Sequence, residues 1–235
     1  MSLPALALRL ATVYSLRGAT AALDQVLDAP IDPIARAQAL SGPVIAVFTS
    51  DQSLTPERKS LVKVGRRRIV LRLQVFLPAE VAIRAPGGTL TLDVREEGGA
   101  TLLDVIYRQI ERALTASQSP WRELWAELVT GFDEITVEDL VIPVERGIDL
   151  VAREVTIPCW TLPSPEIGRS ASVTWPGLVA LMRADPDLAP LADWIDAEIT
   201  QPDSLDGARL YAALAGLSSL ETDALGFGPV TEGRG

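Results

Sequence analysis

The feature that most constrains the fold is the alternating pattern of residues 66–77, Arg-Arg-Arg-Ile-Val-Leu-Arg-Leu-Gln-Val-Phe-Leu. Successive side chains of a strand point to opposite faces, so a period of two over this length predicts a β-strand. One face is wholly apolar and is expected in the core. It carries Ile69, Leu71, Leu73, Val75 and Leu77. The other face mixes charged with large apolar groups, which suits a surface that is partly covered by another subunit or reaches a polyanion.

Basic side chains concentrate in and just before this segment, although the chain as a whole has a net charge of −10. The set consists of Arg58, Lys59, Lys63, Arg66, Arg67, Arg68 and Arg72. We predict that it is an assembly or lumen element, which projects from one edge of the sheet towards an acidic neighbouring subunit or passing DNA. The alternative is a solvated basic loop without a role. A net negative charge opposes reading of DNA bases, because duplex-binding proteins are basic overall.

Charge is distributed unevenly along the chain. Beyond residue 170 the basic residues are only Arg183, Arg209 and Arg234, against ten acidic ones. Opposite fields on two parts of one chain favour head-to-tail or ring association of copies.

Composition places the chain among folded, soluble proteins, with 48% hydrophobic and 22% charged residues. No apolar run is long enough to cross a bilayer, and the first residues lack the basic region of a signal peptide. We therefore expect a chain made in the cytoplasm, with no membrane partner. Cys159 is the single cysteine, which excludes an internal disulfide, and its apolar neighbours predict a buried, inert thiol.

Periodicity and turn residues divide the chain into helices and strands. Helices are predicted at residues 5–27, 101–116 (capped by Thr101), 121–129 (opened by Pro120), 176–184, 190–200 and 204–220, strands at 44–48, 66–77, 89–95, 134–142 and 148–160, and a long polar loop at 49–65. Gly87-Gly88 and Gly98-Gly99 are assigned to hairpin turns. A shift of apolar parity within 148–160 indicates either a bulge or a strand buried on both faces.

These elements predict an α+β fold, a mixed or antiparallel sheet flanked by two main helices with a small C-terminal helical addition. A proline-rich linker at 161–170 places the boundary between a domain at 1–163 and an acidic extension at 164–235.

Chemistry is narrowly limited by the residue types present. The chain has no histidine, which excludes Ser-His, Cys-His and zinc-hydrolase arrangements, and its only lysines, Lys59 and Lys63, lie in no P-loop. Carboxylate clusters at Glu96-Glu97, Glu138-Asp139, Asp185 with Asp187, and Asp193 with Asp196 leave a carboxylate-dependent hydrolase open. Solvated surface is the preferred interpretation of each. We expect no catalytic, cofactor-binding or metal-binding residues.

The order of elements resembles the tail terminator, or tail completion, proteins of long-tailed bacteriophages and phage-like particles. The resemblance is carried by Pro-Val-Ile-Ala-Val-Phe-Thr at 43–49, Arg-Ile-Val-Leu-Arg-Leu-Gln-Val-Phe at 68–76 and Leu-Leu-Asp-Val-Ile-Tyr-Arg-Gln-Ile-Glu at 102–111. It covers residues 1–163 and is a pattern of elements with no invariant signature.

The resemblance implies a structural protein of the virion tail or neck, made in the host cytoplasm. It would form a hexameric ring that caps the tail tube and joins it to the head-tail connector, with DNA passing non-specifically through the lumen. The family brings no catalytic residues. The extra region after residue 164 departs from its pattern, so another neck, connector or tube-associated structural protein is the second interpretation.

Overall fold

The computed structural model describes residues 2–40, 42–56, 64–78, 80–85, 88–94, 98–116, 118–144, 148–165 and 173–200. The chain divides into two compact units, Met1–Ser164 and Pro165–Gly235. The elements of the first are α1 (Leu3–Leu16), β1 (Val26–Asp28), α2 (Pro33–Ala39), β2 (Val44–Pro56), β3 (Val64–Leu77), β4 (Glu80–Ala85), β5 (Gly88–Asp93), α3 (Gly99–Ala116), α4 (Pro120–Leu128), β6 (Val129–Phe132), β7 (Thr136–Val144) and β8 (Ile148–Thr161). The described part of the second contains α5 (Thr174–Ala184) and α6 (Ala189–Thr200). The predicted helix at 204–220 lies outside the described residues.

Six of the described strands form one sheet, in the order β1-β2-β3-β8-β6, with β7 paired to β8 beside β6. Strands β1 and β2 are parallel and the other neighbours are antiparallel, so the sheet is mixed. Strands β4 and β5 form a separate hairpin. The predicted α+β fold, a sheet flanked by helices, is confirmed. Among the described residues, no helix is both long and apolar enough to cross a membrane.

Strand β3 lies at the centre of the sheet, between β2 and β8, and its predicted core face is confirmed. Residues Ile69, Leu71, Leu73, Val75 and Leu77 are at most 1% exposed. Helices α1 and α3 attach to this face: Thr49 Oγ1 of β2 donates to the Ala5 carbonyl at 3.1 Å, and Arg153 of β8 bonds to Asp104 of α3. The side-chain alternation therefore fixes which face of β3 the helices cover.

The opposite face is covered at one end by α2. A cluster of buried residues there comprises Ala37, Val44, Ala46, Phe76, Leu150 and Ala152. Strand β8 pairs without a register break with β7 from Ile148 to Thr156 and with β3 from Val151 to Thr161. Its parity shift therefore reflects a strand buried on both faces, and not a bulge.

Three sequence expectations about element boundaries are wrong. The first helix ends at Leu16 and not at residue 27, because Gly18 takes a left-handed φ of 67° and a turn leads into β1. The polar loop expected at 49–65 is strand up to Pro56 and again from Val64. Polar residues are tolerated there because pairing between the two strands satisfies the backbone hydrogen-bonding groups.

The third concerns the start of α3, which begins at Gly99, so that Thr101 lies inside the helix and is no cap. A Cβ on Gly99 would lie 2.6 Å from the Val94 carbonyl oxygen. Gly99 therefore permits a close backbone approach and does not form the hairpin turn assigned to it. The predicted start of α4 at Pro120 is confirmed, with Ser119 Oγ accepting from the Arg122 N–H at 3.3 Å.

Candidate assembly surface

Strands β2 and β3 form a long antiparallel ribbon. Pairing runs from Val44 opposite Phe76 to Pro56 opposite Val64, with register shifts at 51–53 and 54–56. Strand β8 accompanies β3 only as far as Arg67, opposite Thr161. Among the described strands, residues 64–66 therefore pair with β2 alone, and the ribbon extends past the end of β8.

Four of the seven predicted assembly residues have no described side chain. Arg58, Lys59 and Lys63 lie outside the described residues, and Arg66 lies on β3 with its side chain outside the description. The geometry therefore bears on Arg67, Arg68 and Arg72. Arg67 is half-buried, and its carbonyl accepts a hydrogen bond from Thr161 Oγ1 at 3.4 Å.

Arg68 forms an intrachain ion pair. Its Nε donates to Asp133 Oδ2 at 2.7 Å, and Trp160 Nε1 donates to Asp133 Oδ1 at 3.1 Å. The hydrogen bonds from Trp160 and from Arg68 lower the pKa of the Asp133 carboxyl. Arg68 lies opposite Trp160 of β8 and Ser53 of β2. The expectation that it projects from an edge of the sheet is wrong, because paired strands lie on both sides of it.

Arg72 is also matched by a carboxylate of the same chain. Its Nε lies 3.2 Å from Glu154 Oε1, and Gln74 Nε2 donates to Glu154 Oε2 at 2.7 Å. These side chains lie on the sheet face opposite to α1 and α3. Two members of the basic set are thus compensated within the chain.

A buried arginine of β8 joins the edge strand β7 and helix α3 through hydrogen bonds. Arg153 of β8 donates from Nε and Nη2 to the two carboxylate oxygens of Asp139 on β7, at 2.5 and 2.9 Å, and from Nη1 to Asp104 Oδ1 of α3 at 2.6 Å. The hydrogen bonds from Arg153 lower the pKa of Asp139, and the two carboxylates raise the pKa of Arg153. The network fixes β7 and α3 to β8.

The outer edge of the sheet, formed by β6 and β7, was not identified from the sequence. Phe132, Ile135 and Val137 are 50%, 45% and 43% exposed there. The Phe132 ring stacks on Trp125 of α4, with centroids 5.7 Å apart. Among the described strands, β7 pairs with β8 only. We call residues 129–144 the β6–β7 edge.

Pro158 of β8 lies opposite the break between β6 and β7. The Pro158 carbonyl accepts from the Asp133 N–H at 2.9 Å. In an antiparallel strand the N–H and C=O of one residue point to the same side. The missing N–H of Pro158 is therefore on the side of β6 and β7, at the position where β6 has ended and β7 has not begun. Ladder bonds to β3 are unaffected. Glu134 and Ile135 lie in the resulting connection, and both are exposed.

The predicted carboxylate clusters are mostly engaged in local contacts. Asp193 and Asp196 both accept from Arg183 Nη2, at 2.9 and 2.7 Å. Asp185 Oδ1 accepts from the Asp187 N–H at 2.9 Å in a turn, and Asp139 is held by Arg153. Glu96 and Glu97 lie outside the described residues. Within the described ranges, no group of three or more acidic or cysteine side chains is arranged to hold a metal ion.

No protein-family model matches the chain, and no curated protein is found to be similar to it. Function is therefore inferred from the fold, the distribution of charge and the order of elements.

Proposed function

We propose that this chain is a non-enzymatic structural subunit of a phage-like particle, namely the tail terminator, whose ring caps the tail tube and joins it to the head connector. The observation that carries the proposal is the long β2–β3 ribbon, which extends past β8 from a sheet flanked by helices. The seven residues that connect its strands include Arg58, Lys59 and Lys63. The part of β3 that passes the end of β8, residues 64–66, spans about 10 Å and carries the paired ribbon beyond the sheet towards a neighbouring subunit.

Closed rings require a heterologous interface, in which two different surfaces of the subunit meet. The chain supplies surfaces of opposite charge for such a contact, a basic ribbon and an acidic sheet edge. Six copies are the number that the family resemblance implies. Basic residues that do not face a neighbour would suit the non-specific passage of DNA, because phosphate contacts carry no sequence information.

A carboxylate-dependent hydrolase is supported less well. General acids need a carboxyl group with a raised pKa, as in glycoside hydrolases. Asp133 and Asp139, whose pKa values are shifted, are both shifted down by their arginine partners. Arrangements of this kind stabilise permanent ion pairs and do not store a transferable proton.

Deletion of the gene from the genome that encodes the particle distinguishes the terminator role from another neck or connector role. Loss of a terminator leaves tube growth unstopped, so we expect tails of variable, increased length without attached heads. Loss of a connector instead leaves tails of normal length. Electron microscopy of the particles distinguishes these results, and normal infectious particles would refute both roles.

Assembly of the purified chain tests the ring directly. Light scattering and electron microscopy are expected to show a closed ring, alone or on isolated tail tubes. A stable two-fold dimer as the only assembly would count against the proposal, because a two-fold interface does not generate a ring around a tube.

A further inference from the structure

We infer that the β6–β7 edge is one half of the contact between subunits and that its occupant is the basic β2–β3 ribbon of a second copy. The inference rests on the proposed ring, for which it names the two surfaces that meet. Among the described strands, β7 pairs with β8 alone, so the backbone N–H and C=O groups of alternate residues of this nine-residue strand point outward, with Pro143 contributing only its carbonyl. Exposed edges of this kind add a strand from another chain.

Side chains along the edge are suited to burial by a partner. Phe132, Ile135 and Val137 occur within six residues and are each between 43% and 50% exposed. Register places Phe132 opposite Cys159 and Val137 opposite Val155, so both side chains lie on the sheet face that α1 and α3 cover. The apolar surface therefore continues from the core to the outer edge of the sheet.

Complementary charge indicates which surface of a second copy binds the β6–β7 edge. Residues 133–145 contain Asp133, Glu134, Glu138, Asp139 and Glu145 and no basic residue. Residues 58–68 contain Arg58, Lys59, Lys63, Arg66, Arg67 and Arg68 and no acidic residue. Within the chain, Arg68 already meets Asp133 at the inner side of this edge. Glu134 and Glu138 remain exposed beside it, where a second ribbon brings the opposite charge.

Pairing of the edge with itself is disfavoured by the same charges. Two copies of the β6–β7 edge that pair antiparallel around Thr136 would bring Glu138 and Glu134 of one chain near those of the other, and like charges across an interface are destabilising. The short edge at β1, only three residues, gives little length for pairing. The complementary surface is therefore the ribbon.

Charge reversal in two separate variants tests the pairing. The edge variant carries Glu134→Lys and Glu138→Lys, and the ribbon variant carries Arg58→Glu, Lys59→Glu and Lys63→Glu. Each variant alone juxtaposes like charges at every contact, and its apparent dissociation constant is expected to rise about tenfold or more. Mixed in equal amounts they can alternate around an even-membered ring, with opposite charges at every contact. Light scattering at low salt should therefore show loss of assembly in each variant and recovery in the mixture.

Matched controls reverse the same number of charges elsewhere. Glu127→Lys with Asp187→Lys controls for the edge variant, and Arg36→Glu, Arg108→Glu and Arg112→Glu control for the ribbon variant. All five residues are exposed. These controls are expected to assemble as the wild type does.

Crosslinking gives a second readout. Chains with Val137→Cys are mixed with chains carrying Ser60→Cys and treated with a flexible bis-maleimide. Burial raises the pKa of the Cys159 thiol to about 12, so this residue does not compete in the folded protein. We expect a crosslinked dimer in the mixture that Val105→Cys, in place of Val137→Cys, does not give.

Failure of recovery in the mixture, crosslinking only between two Val137→Cys chains, or a wild type that stays monomeric at low salt would each overturn the inference. The proposed function has its own test in the deletion phenotype. If neither charge reversal affects ring assembly and tails still end at the normal length, the proposed function stands and this interface is wrong. If the mixture recovers assembly but deletion of the gene causes no particle defect, the interface stands and the proposed function is wrong.

Discussion

Arg153 and Asp139 form a two-point ion pair across β8 and β7, directly opposite each other in register. Arg153 is buried, whereas more than half of the Asp139 side chain is exposed. The pair fixes the edge strand to the sheet at a position two residues from Val137. The edge inferred to receive a second copy is thus held in place by a buried cation that also binds Asp104 of α3.

Replacement of this carboxylate should change the pH dependence of stability. The pKa of Asp139 is lowered in the folded state, so its contribution is present above its unfolded pKa, about 3.9, and is lost as pH falls through the folded value. We expect Asp139→Asn to cost about 1 kcal/mol at pH 7, because the exposed side of the pair is screened, and to flatten the loss of stability below about pH 4. Urea unfolding at several pH values measures both effects. Glu138→Gln is the neighbouring control, and an equal effect from it would contradict the assigned role of the ion pair.

Substitution of two neighbouring residues of α3, each by aspartate, tests which face of this helix lies in the core. Ile106 is fully buried, so Ile106→Asp places an unpaired charge in the core and should destabilise the first unit by about 3–5 kcal/mol. Val105 is 47% exposed, and Val105→Asp on the same helix should change stability by less than about 1 kcal/mol. Thermal unfolding compares them. Similar midpoints for the two variants would mean that the helix face is misplaced.

We expect substitutions at Arg68 and in residues 58–63 to affect different properties, the free energy of unfolding in the first case and self-association in the second. The side chains of Arg68 and Asp133 are each about one-third exposed, so Arg68→Ala should cost at most about 1 kcal/mol of stability. Arg58→Ala with Lys59→Ala and Lys63→Ala should leave unfolding unchanged and weaken self-association. The weakening should shrink as salt rises, because salt screens the wild-type attraction as well. Sedimentation at low and high salt, alongside thermal unfolding, checks both variants. Strong destabilisation by the triple substitution would be the contrary result.

Cys159 should be inert in the folded protein. Burial, and then the nearby Asp133 charge, raises its pKa to about 12, so almost no thiolate exists at pH 8. A colorimetric thiol reagent is expected to detect no cysteine until urea unfolds the chain, and Val105→Cys is the exposed control. Fast reaction of the wild type under native conditions would contradict the burial of this strand face.

The sequence determined those features that depend on local periodicity. The alternation of residues 66–77 specified both a strand and its core face, because burial of one face of a pleated strand leaves a period of two in the side chains. The amphipathic spacing of α3 and the start of α4 at Pro120 were likewise predictable from the sequence. The fold class followed from these elements.

Tertiary structure alone decided which strands are neighbours and which charges are paired. Arg68 meets Asp133 across 65 positions of sequence, and Arg153 meets Asp104 across 49. No local pattern records these separations. The β6–β7 edge likewise could not be located, because alternating residues at 134–139 predict a strand without saying whether a second strand lies beyond it. Whether a strand is central or at an edge is a property of the assembled sheet, and here it decides where apolar and acidic side chains remain exposed to a partner.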